Sequence, residues 1–512
     1  MLKKSRTRNL LLFIFISLLF KPLWLFNNTN LGQPADDMYH WIHAATIAFD
    51  KDIDYTEDYQ IDNGTFNNIT NVPSAPPGAG YMSSPFVFIF SQFDNLNSGY
   101  GKGSRTNPTG TFGYLGFFFA GLFYTICGFY FLKKLINNKK FNGLIIFCAF
   151  LSSLMHFVTT RFLMPHAVEF FLCASILYIF EKNKSKLSKF EFLFLILSYF
   201  MLAITRPSTF IYTLVLIMIY RNKFDMNKTN LIIYIPISAM FSYLYIWISR
   251  KLYSENYMFL NTYGSDMDSY RATFNIDQIL NGLIKLPNLF VSPSMGILWS
   301  TPIVFFGILY MVFARNKINI DYFLLFIFFA GSFSPLLIWQ GREVAYGQRL
   351  LIGIIPMCVL LVSRNLQKFQ SSKLLTLSSL FTYIGYLFFY SSDNLTLRYG
   401  TTLWGTEVGF AGTNYYIEVI KELYNFEIIL SAFLRNIYVV NISKFTNINE
   451  LIFSNVNINS FDANRIENFF NYLNIYSEVN TAYLLLVNAL VFGFSYLFIK
   501  LFFNNFLANT SK

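Results

Sequence analysis

Residues 112–134 read FGYLGFFFAGLFYTICGFYFLKK, a run without charge that is closed by Lys133 and Lys134. An α-helix needs about 20 apolar residues to cross the hydrocarbon core of a bilayer, so this stretch is long enough to span. The lysines mark where it stops. The same pattern recurs along the 512-residue chain, which is 54% hydrophobic, 20% aromatic and only 13% charged. Apolar blocks of that length, separated by short basic loops, predict an all-α polytopic membrane protein. Lys3, Lys4, Arg6 and Arg8 precede the first apolar run, and no small-residue cleavage site follows it. That run is expected to be a retained first span.

Outward from 112–132, the first span is placed at about 10–26, and a long polar loop, 27–110, separates the two. Spans three (about 141–158) and four (about 162–180) meet in a tight turn holding His156, Arg161 and His166. Residues 190–220 are apolar but broken by Thr205-Arg206-Pro207-Ser208. Two short crossings keep Arg221, Lys223 and Lys228 on the same side as every earlier basic loop. A single crossing reverses all later loops against the positive-inside rule. Two spans are therefore expected, with Arg206 at the outer junction. Further spans fall at about 231–249, 296–314, 321–338, 350–363, 374–391 and 481–503. The count is about twelve transmembrane helices, both termini inside. A long first outer loop carries short amphipathic helices, and an outer segment of about 90 residues (392–480) precedes the last span.

The net charge of +11 comes largely from Lys and Arg in short loops between spans. With no basic patch interleaved with aromatic residues, nucleic acid is not expected as a partner. The lipid bilayer is. Cys127, Cys148, Cys173 and Cys358 all lie in hydrophobic runs, without metal or redox spacing.

Chemistry is expected in Gly32-Gln33-Pro34-Ala35-Asp36-Asp37-Met38-Tyr39-His40-Trp41, just past the first span. If the segment after Pro34 is helical, Asp36 and His40 share a face at i,i+4, and His40 and His43 at i,i+3. A carboxylate at the membrane–water boundary can deprotonate an acceptor hydroxyl. One aspartate of the pair also suits an ordinary helix N-cap. The Asp/His spacing could seat a divalent metal, though no HExxH or other firm ligand pattern is present. A second set comprises cations at the outer ends of spans: Lys21, Arg161, Arg206, Arg342 and Arg349. Guanidinium groups bind phosphate through paired hydrogen bonds. The plainer role for each arginine is anchoring at the interface or pairing with Glu169 or Glu343.

Taken in order, these features resemble the GT-C superfamily of membrane glycosyltransferases, in particular bacterial relatives of protein O-mannosyltransferase and aminoarabinose transferase. The resemblance covers most of residues 1–365 and includes the basic N-terminus, the first span and the acidic pair Asp36-Asp37 with Tyr39-His40. It continues with Pro76-Pro77, with Ser292-Pro293-Ser294-Met295-Gly296-Ile297-Leu298, and with Trp339, Gly347-Gln348-Arg349 and Pro356. It implies a polyprenyl-phosphate-linked sugar as donor and a glycan, lipid or protein hydroxyl as acceptor. Asp36 or Asp37 is the implied base, with the slight preference on Asp36. His40, Arg161, Arg206 and Arg349 are the substrate-binding candidates, and the anomeric configuration inverts. With the loop charges, it also implies a bacterial inner (plasma) membrane, with the site facing the periplasm or exterior. There are departures: the Lys that precedes the Pro-Pro element in aminoarabinose transferases is Ala75 here, and Ser294-Met295 replace an Arg common in the later motif.

The expected organisation is a catalytic membrane module at 1–391, an outer segment at 392–480 and a last span with a short tail at 481–512. Two other functions fit a chain of this shape. A flippase or transporter of lipid-linked oligosaccharide would suit twelve spans, although no matching halves or paired broken helices are visible. A polysaccharide polymerase or ligase would place its acceptor-handling residues late in the chain, within 392–480.

Overall fold

The computed structural model describes residues 12–14, 16–17, 35–55, 73, 75–96, 108, 111–136, 142–159, 161–182, 186–225, 228–253, 276–292, 296–313, 320–338, 348–365, 372–391, 415–423 and 481–503. Every regular element among these residues is helical. Among the described residues three helices are long and apolar enough to cross a membrane: Phe112–Leu135, Asn230–Leu252 and Leu485–Phe502. The pair Asn142–Phe150 and Ser153–Thr159, bent by 68°, qualifies as one broken span. Shorter apolar helices are Pro207–Ile219, Pro302–Phe313 and Asp321–Phe333. The chain is thus a helical membrane protein. The helices that position the site are α1 (Ala35–Ala45), α2 (Gly78–Leu96), α3 (Phe112–Leu135), α4 (Asn142–Phe150), α5 (Ser153–Thr159), α6 (His166–Glu181), α7 (Lys189–Thr205), α8 (Pro207–Thr213), α9 (Ile355–Asn365) and α10 (Thr481–Phe502).

The central helix is α3, two thirds of whose apolar stretch (67%) is buried within the protein, against 6% for Asn230–Leu252. The first is therefore core. The second turns Ile232, Ile235 and Tyr243 outward, as a lipid-facing helix does. Thr111 caps α3 by accepting the Tyr114 amide at 3.2 Å. Asp94 on α2 adds a second cap, taking the Phe112 and Gly113 amides at 2.7 and 3.0 Å. These are donors that a helix start leaves without intrahelical partners. Burial raises the Asp94 pKa, and the two amide hydrogen bonds partly offset the rise.

Helix α2 corrects the expectation of a polar first loop. It lies within 27–110, yet it packs lengthwise and antiparallel on α3, with Phe86 against Phe119 and Phe123 at 5.5 and 5.4 Å between ring centres. The Tyr124 hydroxyl donates to the Met82 carbonyl at 2.8 Å, which fixes the register. Pro85 sits inside this helix. In sequence, Pro85 and the flanking glycines and serines read as turn chemistry, and that signal hides the apolar run Phe86–Phe90.

The break at Arg206 has a local cause. Proline disfavours the helical conformation of the residue before it and is well placed at the first position of a new helix. Arg206 accordingly leaves α7 at φ −146°, ψ 86°, and Pro207 opens α8. The chain then doubles back, so that Tyr199 donates to the Thr213 carbonyl at 2.9 Å and the Leu187 amide to Lys223 at 2.8 Å. The reversal agrees with two segments rather than one.

The helices sort their charges between two ends. Near one end, Glu181 pairs with Arg364 at 2.7 Å, Lys182 with Glu191 at 2.7 Å, and Arg221 with Asp321 at 3.0 Å. Lys133 at the end of α3 hydrogen-bonds the Leu501 carbonyl of α10, which runs parallel to α3. His166 and Glu181 begin and end α6, so the His166 end lies about 22 Å away along that helix. That is where Asp37, Arg161 and Arg206 gather.

Candidate functional site

Helix α1 carries the acidic pair into the bundle. Its backbone includes Asp36, whose side chain lies outside the described residues. Asp37, His40 and His43 are buried at 4%, 3% and 0% exposure, and Trp41 is fully buried between Phe49 and Tyr114. Helix α1 crosses α2 closely, because a Cβ on Gly80 would lie 2.5 Å from the Cβ of His43. A π-turn at Thr46–Asp50 ends α1, and Lys51 closes it with a left-handed φ of 65°.

Asp37 is joined to Arg161, 124 residues away, at 3.0 Å between Oδ2 and Nε. Arg161 stands in the tight turn between α5 and α6, where the Met164 amide binds the Arg161 carbonyl at 3.0 Å. Arg206, at the α7–α8 break, lies 3.6 Å from Glu169 of α6. Arg349 opens a short 3₁₀ turn, Arg349–Ile354, that leads into α9. The charges of Arg161, Arg206 and Arg349 all act on His166, and those of Arg161 and Arg206 act on His40, which also lies close to His166. Four residues expected from sequence to bind substrate therefore share one neighbourhood with Asp37.

Both arginines are ion-paired within the protein: Arg206 with Glu169, one of the two partners that the plainer reading of these arginines named, and Arg161 with Asp37, which it did not name. His43 works as a clamp: its Nδ1 lies 2.6 Å from the Tyr55 hydroxyl and its Nε2 2.8 Å from the Ala75 carbonyl. A carbonyl only accepts, so Nε2 carries the proton and Nδ1 accepts from Tyr55. Tyr81 extends the chain by lying 3.3 Å from Tyr55. Through His43, the Ala75-Pro76-Pro77 turn is tied to α1, which gives that element an architectural role. Burial lowers the His43 pKa from 6.5 to about 4. For His40 burial is again the largest cause of a lowered pKa, and the neighbouring guanidinium groups of Arg206 and Arg161 lower it further. Both imidazoles are neutral at physiological pH.

Sequence reasoning named Glu169 only as a partner for an arginine, which it is for Arg206, and not as the hub of this neighbourhood. Glu169 is fully buried and accepts from Thr209 Oγ1 at 2.5 Å and His166 Nδ1 at 2.8 Å, and from the Gly353 backbone N–H. The signal was available: His166 and Glu169 stand at i,i+3 in an apolar segment, and an ionisable residue inside a membrane span is a functional candidate by default. Among the described residues no group of three or more His, Cys, Asp or Glu is arranged to hold a metal ion. Lys21, Arg342, Trp339, Gly347, Pro293-Ser294-Met295 and nearly all of 392–480 lie outside the described residues. No protein family matches this chain, and no curated protein is significantly similar to it.

Proposed function

We propose that the protein is a membrane glycosyltransferase that moves a sugar from a polyprenyl-phosphate donor to an acceptor hydroxyl. The observation that carries this reading is the Asp37–Arg161 pair at 3.0 Å, at the bundle end opposite the basic loops. It joins a carboxylate suited to a hydroxyl with guanidinium chemistry suited to a phosphate. In this reading the bundle crosses a bacterial inner membrane about twelve times, and the Asp37 end faces the periplasm. No nucleotide donor is available there, which favours a lipid-borne activated sugar.

The step is an in-line displacement. The acceptor O–H donates to an aspartate of α1 and its proton passes to the carboxylate as the oxygen attacks the anomeric carbon. The bond from the anomeric carbon to the phosphate oxygen breaks on the opposite side, so the configuration inverts. Polyprenyl phosphate leaves with the electron pair, its charge met by Arg161, Arg206 and Arg349. Neutral His40 orients a substrate hydroxyl.

The test replaces Asp36 and Asp37 separately by Asn in the full-length chain. Membrane expression is confirmed, and surface glycans and lipid-linked products are profiled by mass spectrometry. Loss of product in either variant supports the mechanism, and two variants that behave as wild type sink it. Proteoliposomes that move a lipid-linked glycan without any change of bonds would place the chain among transporters instead. A parallel assay with EDTA tests whether a divalent cation is required.

A further inference from the structure

His166 opens α6 with both ring nitrogens buried and with unequal surroundings. Nδ1 is 2.8 Å from Oε2 of Glu169, and both side chains are fully buried. Glu169 also accepts from Thr209 and Gly353 and faces Arg206 at 3.6 Å. The Gly353 N–H and the Arg206 guanidinium can only donate, so the geometry around this carboxyl group fits the carboxylate form, which only accepts. The shared proton therefore sits on Nδ1 of His166. The ring is locked in the tautomer whose Nε2 is a bare lone pair.

That Nε2 is buried and has no hydrogen-bond partner among the described residues, and the same holds for Nδ1 of His40. An unsatisfied buried polar atom costs about 1–3 kcal/mol, so it calls for a reason. The neighbours of His166 narrow the reason. Phe157 lies against the imidazole with ring centres 4.4 Å apart. Arg161, Arg206 and Arg349 act on His166 through their charge, yet none donates to Nε2. An acceptor among cations, left without a proton donor, is suited to a ligand group that donates and carries no positive charge.

We propose that Nε2 of His166 accepts a hydrogen bond from a ligand hydroxyl, and that Glu169 is a positioning residue that fixes the imidazole tautomer for it. The ligand class is a polyhydroxylated group, one of whose other hydroxyls reaches Nδ1 of His40. That the hydroxyl belongs to a sugar rests on the glycosyl-transfer reading. That His166 accepts from a hydroxyl does not.

Four histidines in 512 residues make the site readable by ¹⁵N NMR of histidine-labelled full-length chain in nanodiscs. Single His→Gln variants assign the four pairs of resonances. In the wild-type protein the His166 signals are expected to show a protonated Nδ1 and an unprotonated Nε2, and the reverse pattern overturns the proposal without any functional variant. The probes are undecaprenyl phosphate carrying mannose, glucose or arabinose, with bare undecaprenyl phosphate as control. At least one sugar-bearing lipid is expected to shift Nε2 while the bare lipid does not. Equal shifts with all four lipids, or no shift with any, overturn the hydroxyl assignment. Product formation in the same samples reports separately on glycosyl transfer, so failure of that reading is seen independently. Glu169→Gln is expected to move His166 toward the opposite tautomer, read directly from its ¹⁵N shifts, and to lower turnover about 10–100-fold.

Discussion

The two ends of the bundle use similar ion pairs in opposite environments. Arg221 and Asp321 are 48% and 51% exposed, and Arg364 is 50% exposed where it meets Glu181. At the far end the side chains of Arg161 and Asp37 are 13% and 6% exposed, and Arg206 meets a Glu169 side chain that is not exposed at all. Exposed pairs contribute roughly 0–1 kcal/mol and are tolerated anywhere. Buried pairs carry a desolvation cost that the attraction between partners often only offsets. A chain with 13% charged residues nonetheless concentrates several of them, buried, at one place. The exposed end is explained by loop charge and solvation, whereas the buried end calls for a function.

The contrast is broken most sharply at Asp37. Asp37→Asn keeps the size of the side chain and removes its charge, and turnover is expected to fall by about 10²–10⁴-fold, the usual contribution of a positioned base. A rate of lipid-phosphate release measured at saturating donor checks it, and an unchanged rate with the Asp36→Asn variant inactive would transfer the role to Asp36. Glu169→Ala tests the same end for stability. It leaves Arg206 and His166 without their buried partner, and a loss of about 3–5 kcal/mol is expected in detergent-solubilised unfolding. Asp94→Ala removes two charge-assisted caps from α3 and should cost about 1.5–3 kcal/mol by the same measurement.

The buried end should also respond to pH. His43 has its folded pKa lowered to about 4 from 6.5, and burial lowers that of His40 as well. Between those values the unfolded chain binds protons that the folded chain refuses, so stability is full above about pH 6.5 and is lost as pH falls toward 4. Each such histidine contributes a slope of at most about 1.4 kcal/mol per pH unit. Melting temperature between pH 4 and 7.5 should fall less steeply in His43→Phe than in wild type. Parallel slopes would show that the clamp is not among the groups that titrate.

Legibility differed between the ends for physical reasons. The spans, the lysines that stop α3 and the break at Arg206-Pro207 are local properties, written in hydropathy and in proline's effect on its neighbour. Helix α2 was masked because Pro85 and its glycines carry turn chemistry in water, while packing along α3 keeps that segment helical. At the site, Arg161, Arg206 and Arg349 stand out as cations at the breaks between apolar runs. The partnership of Arg161 with Asp37 is not written in any spacing, since it links residues 124 positions apart. His43 misled for a related reason. Its i,i+3 relation to His40 was correct, but Tyr55 and Ala75, far along the chain, determine what it does.

The smallest expected effect is at the exposed end. Arg221 donates to Asp321 at 3.0 Å and to the Met218 carbonyl at 3.0 Å, with both charged side chains about half in solvent. Water replaces either partner at little cost, so Arg221→Ala should change stability by less than about 1 kcal/mol. A double-mutant cycle with Asp321→Ala should return a coupling of about 0.2–1 kcal/mol that shrinks as salt rises, because pairs in water are screened. The same cycle on Asp37 and Arg161 should give a larger coupling that salt hardly changes, since neither partner is open to counterions. Equal couplings and equal salt slopes at the two pairs would mean that the burial of Asp37 and Arg161 carries no energetic weight. The distinction between a solvated end and a functional end would then fail.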